Sequence, residues 1–413
     1  RVISDTVSGG PTVTFGYDND DLLTSAGELT ITRNAVNGLV QSVGLGLVNG
    51  SWSFSGFGEV ESNLVTANAI PVYEVDYTRD QLGRITQKTE TVGGVTDTFA
   101  YDYDSRGQLV EVRKNSVVVE SYAYDDNGNR SSTTINGNSS TATFDDQDRL
   151  LTNGDTSYSY TPAGRLLSRT EPGSLVTSYD YDVVGNLRAV TLPDNTEIAY
   201  GLDGPDHRVR RAVDGTITHE WLYDGILPVA ELDGAGNVTS QFVYAGGNTP
   251  VYLVRAGVNY RIVTDQVGSV RLVINTETGT IEQRIDYDTF GNVISDTNPG
   301  FQPFGYAGGL YDPATGLVRF GLRDYDPAIG RWTARDPVGF AGDDTNLYRY
   351  VGNNPVTRID PLGLDWWDSV GGFAVAFSYH MEGVVNPVLG MTRAAESFGY
   401  WLNDQMFGST TLT

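Results

Sequence analysis

Aromatic and polar residues alternate along most of the chain in short runs, interrupted at intervals by Asp, Asn and Gly. One unit recurs: an aromatic, a polar residue, a second aromatic, a short acidic turn, a glycine and an aliphatic run. It reads Tyr101-Asp102-Tyr103-Asp104-Ser105-Arg106-Gly107-Gln108-Leu109, then Tyr122-Ala123-Tyr124-Asp125-Asp126-Asn127-Gly128-Asn129, and later Tyr179-Asp180-Tyr181-Asp182-Val183-Val184-Gly185-Asn186-Leu187. A last clear copy is Tyr287-Asp288-Thr289-Phe290-Gly291-Asn292-Val293, and one aromatic per unit recurs every 16 to 23 residues between Tyr103 and Tyr244. Tyr-x-Tyr sets two rings on the same face of a strand. The following Asp can accept backbone amides two residues on, and the glycine supplies a positive φ, so the strand ends in a tight turn. The aliphatic run, such as Gln108-Leu109-Val110-Glu111-Val112, is the return strand. A two-stranded unit cannot bury its aromatic face alone, so the units are expected to stack edge to edge. The predicted fold is all-β, a long antiparallel sheet that coils into a hollow shell or part of one. The copies degrade over residues 29–70 and 246–281, which blurs the strand pattern there, and no helical period appears before residue 360.

Composition narrows the function classes. With 52 acidic against 27 basic side chains the net charge is −25, which repels phosphate backbones and anionic headgroups, so the shell is expected to bind no nucleic acid and no membrane surface. The absence of cysteine removes disulfides, zinc ribbons, iron–sulfur clusters and thiol nucleophiles. His207, His219 and His380 are isolated, so no metal site and no cofactor is predicted. Lys88 and Lys114 are the only lysines, so positive charge is almost wholly guanidinium, suited to bidentate contact with carboxylates. The chain starts at Arg1-Val2-Ile3, with neither Met nor a signal pattern, and reads as a piece of something longer.

The Tyr-Asp units resemble those of the Rhs and YD-repeat proteins, which include polymorphic bacterial toxins, the C components of insecticidal Tc toxins and, more distantly, teneurins. A denser set of motifs follows. Phe304-Gly305-Tyr306-Ala307-Gly308-Gly309-Leu310-Tyr311-Asp312-Pro313 leads to Phe320-Gly321-Leu322-Arg323-Asp324-Tyr325-Asp326-Pro327, then to Gly330-Arg331-Trp332-Thr333-Ala334-Arg335-Asp336-Pro337, and closes at Asp360-Pro361-Leu362-Gly363-Leu364. This order is similar to the Rhs-associated core. The resemblance implies an intramolecular aspartyl-type protease that cuts after the closing motif, between Leu364 and Asp365. Three regions are expected: a repeat shell over 1–286, the core over 287–364, and a tail over 365–413 that begins a variable effector or truncated toxin.

The residues themselves offer a cleavage apparatus. Two carboxylates held close share one proton, so one acts as base toward water and the other as acid toward the carbonyl or leaving amine. Asp324 and Asp336 are the chosen pair, with Arg323 positioned to hold a carboxylate or stabilise an oxyanion. Asp360 orients the substrate strand or shares the acid role, in a substrate motif that includes Pro361 and Gly363. Asp326 is the alternate for either member of the pair. Against this stands a plain structural reading: Asp312, Asp326, Asp336 and Asp360 all precede proline, and Asp-Pro steps are turn formers.

In the tail, Met391, Ala395, Phe398, Leu402 and Met406 draw an apolar stripe that predicts a helix over about 391–406. The leading function is a self-cleaving module that encloses its own C-terminal peptide as cargo. A secretion component or a second shell chain is the further partner, and the place of action is outside the producing bacterial cell or at its surface. The alternatives are a non-catalytic scaffold or adhesin and, more remotely, a secreted glycan-cleaving enzyme.

Overall fold

A computed structural model describes residues 2–204, 206–342, 344–364 and 367–368. The predicted tail helix and Asp365 lie outside the described residues. A 29-stranded antiparallel sheet runs from Ser4–Thr6 to Val293–Asp296, with each strand pairing with the next one in the chain. The two end strands have one partner each among the described residues, so the sheet is not a closed barrel. No helix among the described residues is long and apolar enough to cross a membrane.

The repeat chemistry builds the hairpins as the pattern predicts. Asp104 accepts the amides of Arg106 and Gln108 at 2.9 and 2.8 Å, and Asp125 does the same for Asn127 and Asn129 at 3.0 and 2.8 Å. Gly107 takes φ +82° at the point where the turn needs it. The first tyrosine of each unit is buried, as at Tyr101, Tyr122 and Tyr179, while Asp102 and Asp180 beside them are exposed. The second tyrosine donates its hydroxyl to a carbonyl at the start of the preceding return strand: Tyr103 to Ile85 at 2.7 Å, Tyr124 to Leu109 at 2.6 Å and Tyr244 to Pro228 at 2.8 Å. A register shift precedes that same tyrosine at Asp102/Tyr103, Ala123/Tyr124 and Asp180/Tyr181. A bulge recurring at this position in unit after unit bends and twists the strands the same way, which helps the sheet coil.

The degraded stretch contains full strands, including Leu29–Arg33, Val40–Leu45, Val48–Phe54 and Val60–Ala67. Its turns are closed by other acceptors. Asn34 takes the Val36 amide at 2.8 Å, and Ser55 takes that of Phe57 at 3.2 Å.

Coiling brings late strands over early ones. Tyr252 donates to the Ala26 carbonyl at 3.3 Å, the Leu47 amide to Thr276 at 2.8 Å, and Arg271 pairs with Glu90 at 2.8 Å. One buried apolar cluster joins Leu23, Leu29 and Leu45 to Val243 and Tyr252, and another joins Val65, Tyr73 and Ile85 to Leu272 and Ile274. The turn of Asp288 and its two strands still belong to the large sheet, which continues to Asp296.

The segment beyond it packs against the turn ends of five successive units. Asn353 donates to Gln108 and Gly128 at 2.9 and 2.8 Å, Arg331 to Asn129 at 2.7 Å and to the Asp148 carbonyl, Tyr348 to Gly164 at 2.7 Å, and Arg319 to Asn186 at 3.1 Å.

Candidate functional site

Four short strands form the platform of the site: Leu310–Asp312, Leu317–Phe320, Arg323–Asp326 and Arg331–Trp332, antiparallel and in chain order. Alternation along Arg323–Asp326 sends Arg323 and Tyr325 to one face and Asp324 and Asp326 to the other. On the first face Tyr325 lies in a buried aromatic stack with Phe320, Trp332 and Tyr350, and the Arg323 guanidinium sits 4.0 Å from the centre of the Trp332 ring. Cation–π contact and enclosure fix the arginine in one direction.

That direction is toward the closing motif. Nη2 of Arg323 contacts Asp336 Oδ2 at 2.7 Å and Asp360 Oδ2 at 3.0 Å, and Nε donates to the Gly363 carbonyl. Asp360 Oδ1 accepts the Leu364 amide at 3.0 Å, four residues on, with Gly363 at φ +67°. The motif therefore closes in the same manner as the Tyr-Asp turns. Gly321 and Gly363 let it lie against the Phe320–Arg323 hairpin: a Cβ on Gly321 would stand 2.4 Å from the Leu362 carbonyl, and one on Gly363 would stand 2.7 Å from that of Phe320. The Leu322 amide binds the Leu362 carbonyl at 3.0 Å. Pro361 begins the turn between Asp360 and Gly363.

Burial pulls the Arg323 guanidinium down from its ordinary value, and Asp360, Asp336 and Asp344 push it back up. Asp336 and Asp360 both meet the single guanidinium of Arg323 in a buried place. Asp336 is the more open of the two, its side chain 11% exposed against 3% for Asp360. A small cavity reaches them, lined also by Asp344, Arg349 and Leu364. Asp344 and Arg349, which form a bidentate pair at 2.8 and 2.7 Å, were not among the residues the motifs single out. Their spacing of five residues on an irregular segment carries no local signal.

Asp324 stands elsewhere. Buried on the opposite face, it is held by Arg208 at 2.8 Å and Arg319 at 3.0 Å. Arg208 lies over the Tyr200 ring at 3.6 Å, so this carboxylate ties the platform to the repeat sheet. Asp326 follows on the same face, also buried, with its carboxyl pushed up by burial and partly restored by Arg169. The structure thus brings Arg323, Asp336, Asp360, Gly363 and Leu364 together, and it places the Asp324 and Asp326 side chains against the wall. The turn-forming reading of the Asp-Pro steps holds as well: Asp312, Asp326 and Asp336 accept amides two residues on, at 2.9, 3.0 and 2.9 Å.

Known proteins share this architecture. The chain is 29% identical to human teneurin-4 over 324 residues, which is 74% of this chain and 11% of that protein. It is 32% identical to the tRNA nuclease WapA of Bacillus subtilis (strain 168) over 293 residues, 67% of this chain and 12% of that protein. The chain therefore spans about an eighth of the length of these relatives. Among solved structures, a Photorhabdus luminescens Tc holotoxin pore with a mutated TccC3 component superimposes over 90% of this chain and 21% of its own, with a TM-score of 0.64 at 18% identity. A TcdB2–TccC3–TEV crystal structure covers 86% of this chain and 23% of its own, with a TM-score of 0.50 at 18% identity. The sequence profile of the teneurin YD-shell matches residues 3–356, and the chain belongs to that family.

Proposed function

We propose that this chain is a self-cleaving encapsulation module, in which the coiled repeat sheet forms part of a shell and the segment packed on its turns severs the backbone between Leu364 and Asp365. The observation that supports it is the convergence of Asp336 and Asp360 on Arg323 beside Gly363 and Leu364. In this reading water attacks the Leu364 carbonyl carbon. Asp336, reached by the cavity, takes a proton from the water, and a protonated Asp360 supplies one to the departing Asp365 amine as the C–N bond breaks. Arg323 holds the strand one residue before the cut. Asp324, the other acid of the expected pair, serves the same strand from its far face through Arg208 and Arg319. In this reading the large sheet, which continues to Asp296, is the shell, the segment from there to Leu364 is the cleaving core, and residues 365–413 are the cargo.

The relatives bear on the setting. WapA is named as a tRNA nuclease and TccC3 belongs to a Tc holotoxin, so the enclosed peptide is read as the start of an effector that acts outside the producing cell, with a further toxin component or shell chain as partner. Denaturing electrophoresis tests the reading: bands for residues 1–364 and 365–413 support it, and loss of the cut in Asp336→Asn assigns the acid. A second reading, a passive scaffold, is favoured by the likeness to teneurin-4 and predicts an intact chain in every variant.

A further inference from the structure

A second, larger cavity lies where the coil overlaps itself and is open at its mouth. Its wall is mostly apolar, with Trp52, Val75, Val251, Val263 and Ile359 among the lining side chains, yet it also includes Arg261, only 5% exposed. Three other buried arginines face a carboxylate, Arg208 and Arg319 on Asp324 and Arg323 on Asp336 and Asp360, whereas Arg331 donates to the Asn129 amide oxygen and the Asp148 carbonyl. For Arg261 no carboxylate stands within ion-pair distance among the described residues. Nη1 donates to the carbonyls of Val251 and Ile262, and burial pulls the guanidinium down to about 10 with no acid to oppose it. A buried charge without a counter-charge is expensive, so its retention inside a cavity calls for a partner. The cavity's other charged groups are already engaged. Arg79 lies 3.8 Å from Glu59 and donates to the Val60 carbonyl, and Asp265 accepts the amides of Val267 and Ser269 at 3.1 and 2.8 Å.

We propose that this cavity is a binding site for a small organic carboxylate, whose charge pairs with Arg261 and whose apolar body lies against Trp52 and the valines. A planar guanidinium suits a carboxylate, and the lining favours an acid with an aromatic or branched body over acetate or chloride. The site is separate from the cleavage chemistry and stands whether or not the chain cuts itself.

Thermal unfolding of the full chain in sodium benzoate against sodium chloride at equal ionic strength tests it. Benzoate at ten times its dissociation constant should raise the melting temperature by roughly 2 °C. Arg261→Met should melt no lower than the parent in chloride, because it removes an unpaired charge, and should lose the benzoate response. No benzoate response in the parent, or an equal response in the variant, overturns the proposal. Saturation-transfer NMR on the unaltered chain decides the matter if the variant does not fold: transfer to benzoate supports the site and its absence refutes it.

Discussion

Asp336 and Asp360 each place a carboxylate oxygen on the same guanidinium nitrogen of Arg323, at 2.7 and 3.0 Å. That junction fixes the closing turn, because Asp360 also holds the Leu364 amide and Arg323 the Gly363 carbonyl. Substituting either acid by Asn keeps the shape and removes one carboxylate from the pair. Both Asp336→Asn and Asp360→Asn are expected to slow self-cleavage at least 100-fold, read as the fraction of uncut chain over time on denaturing gels.

Asp324→Asn has a different expected signature. It leaves Arg208 and Arg319 facing a neutral amide in a buried place, so stability should fall by about 3–5 kcal/mol, whereas Asp336→Asn should cost less than half of that. Denaturant unfolding of the two variants side by side checks the difference. If both fail to cut and only Asp324→Asn is destabilised, Asp324 acts by positioning the strand.

These two roles mark the limit of what the amino-acid pattern reveals. The Asp of each repeat, its glycine and the buried first tyrosine are legible because their physics is local: an acceptor, a positive φ and a period of two. The repeat was invisible over residues 29–70 because Asn34 and Ser55 replace the Asp acceptor while performing the same task. Arg323, Asp336 and the closing motif stand out through the resemblance to the Rhs-associated core, whereas the Asp324–Asp336 pair that spacing suggests is not formed. The partners of Asp324 could not, since Arg208 lies 116 residues upstream, and only the coil brings the two together. The bulge before Tyr103, Tyr124 and Tyr181 also leaves no mark in composition, although it adds to the curvature.

The hydroxyl links between units are expected to contribute singly and additively. Tyr103→Phe and Tyr124→Phe each remove one hydrogen bond to a carbonyl of the preceding unit and should each cost about 1 kcal/mol, with the double variant near the sum. Equilibrium unfolding of the three variants measures it.

Glu231 makes stability depend on pH. Burial pushes its carboxyl up to about 7 from 4.5, Arg255 opposing in part. The fold thus prefers the protonated acid: its contribution is fully present below about pH 4.5, declines as pH rises, and is lost above about pH 7, a change of about 3 kcal/mol at most. Glu231→Gln should flatten the stability profile between those limits. Asp312 behaves oppositely. Burial raises its carboxyl, but Arg211 and Tyr200 more than compensate, so its contribution is present above about pH 3.8 and is lost as pH falls through its lower folded value.

The central claim is that the chain severs itself after Leu364, and intact mass spectrometry of the purified protein under denaturing conditions tests it most directly. The account predicts two masses, corresponding to residues 1–364 and 365–413, that elute together before denaturation. A single mass for all 413 residues, unchanged after prolonged incubation, would contradict it.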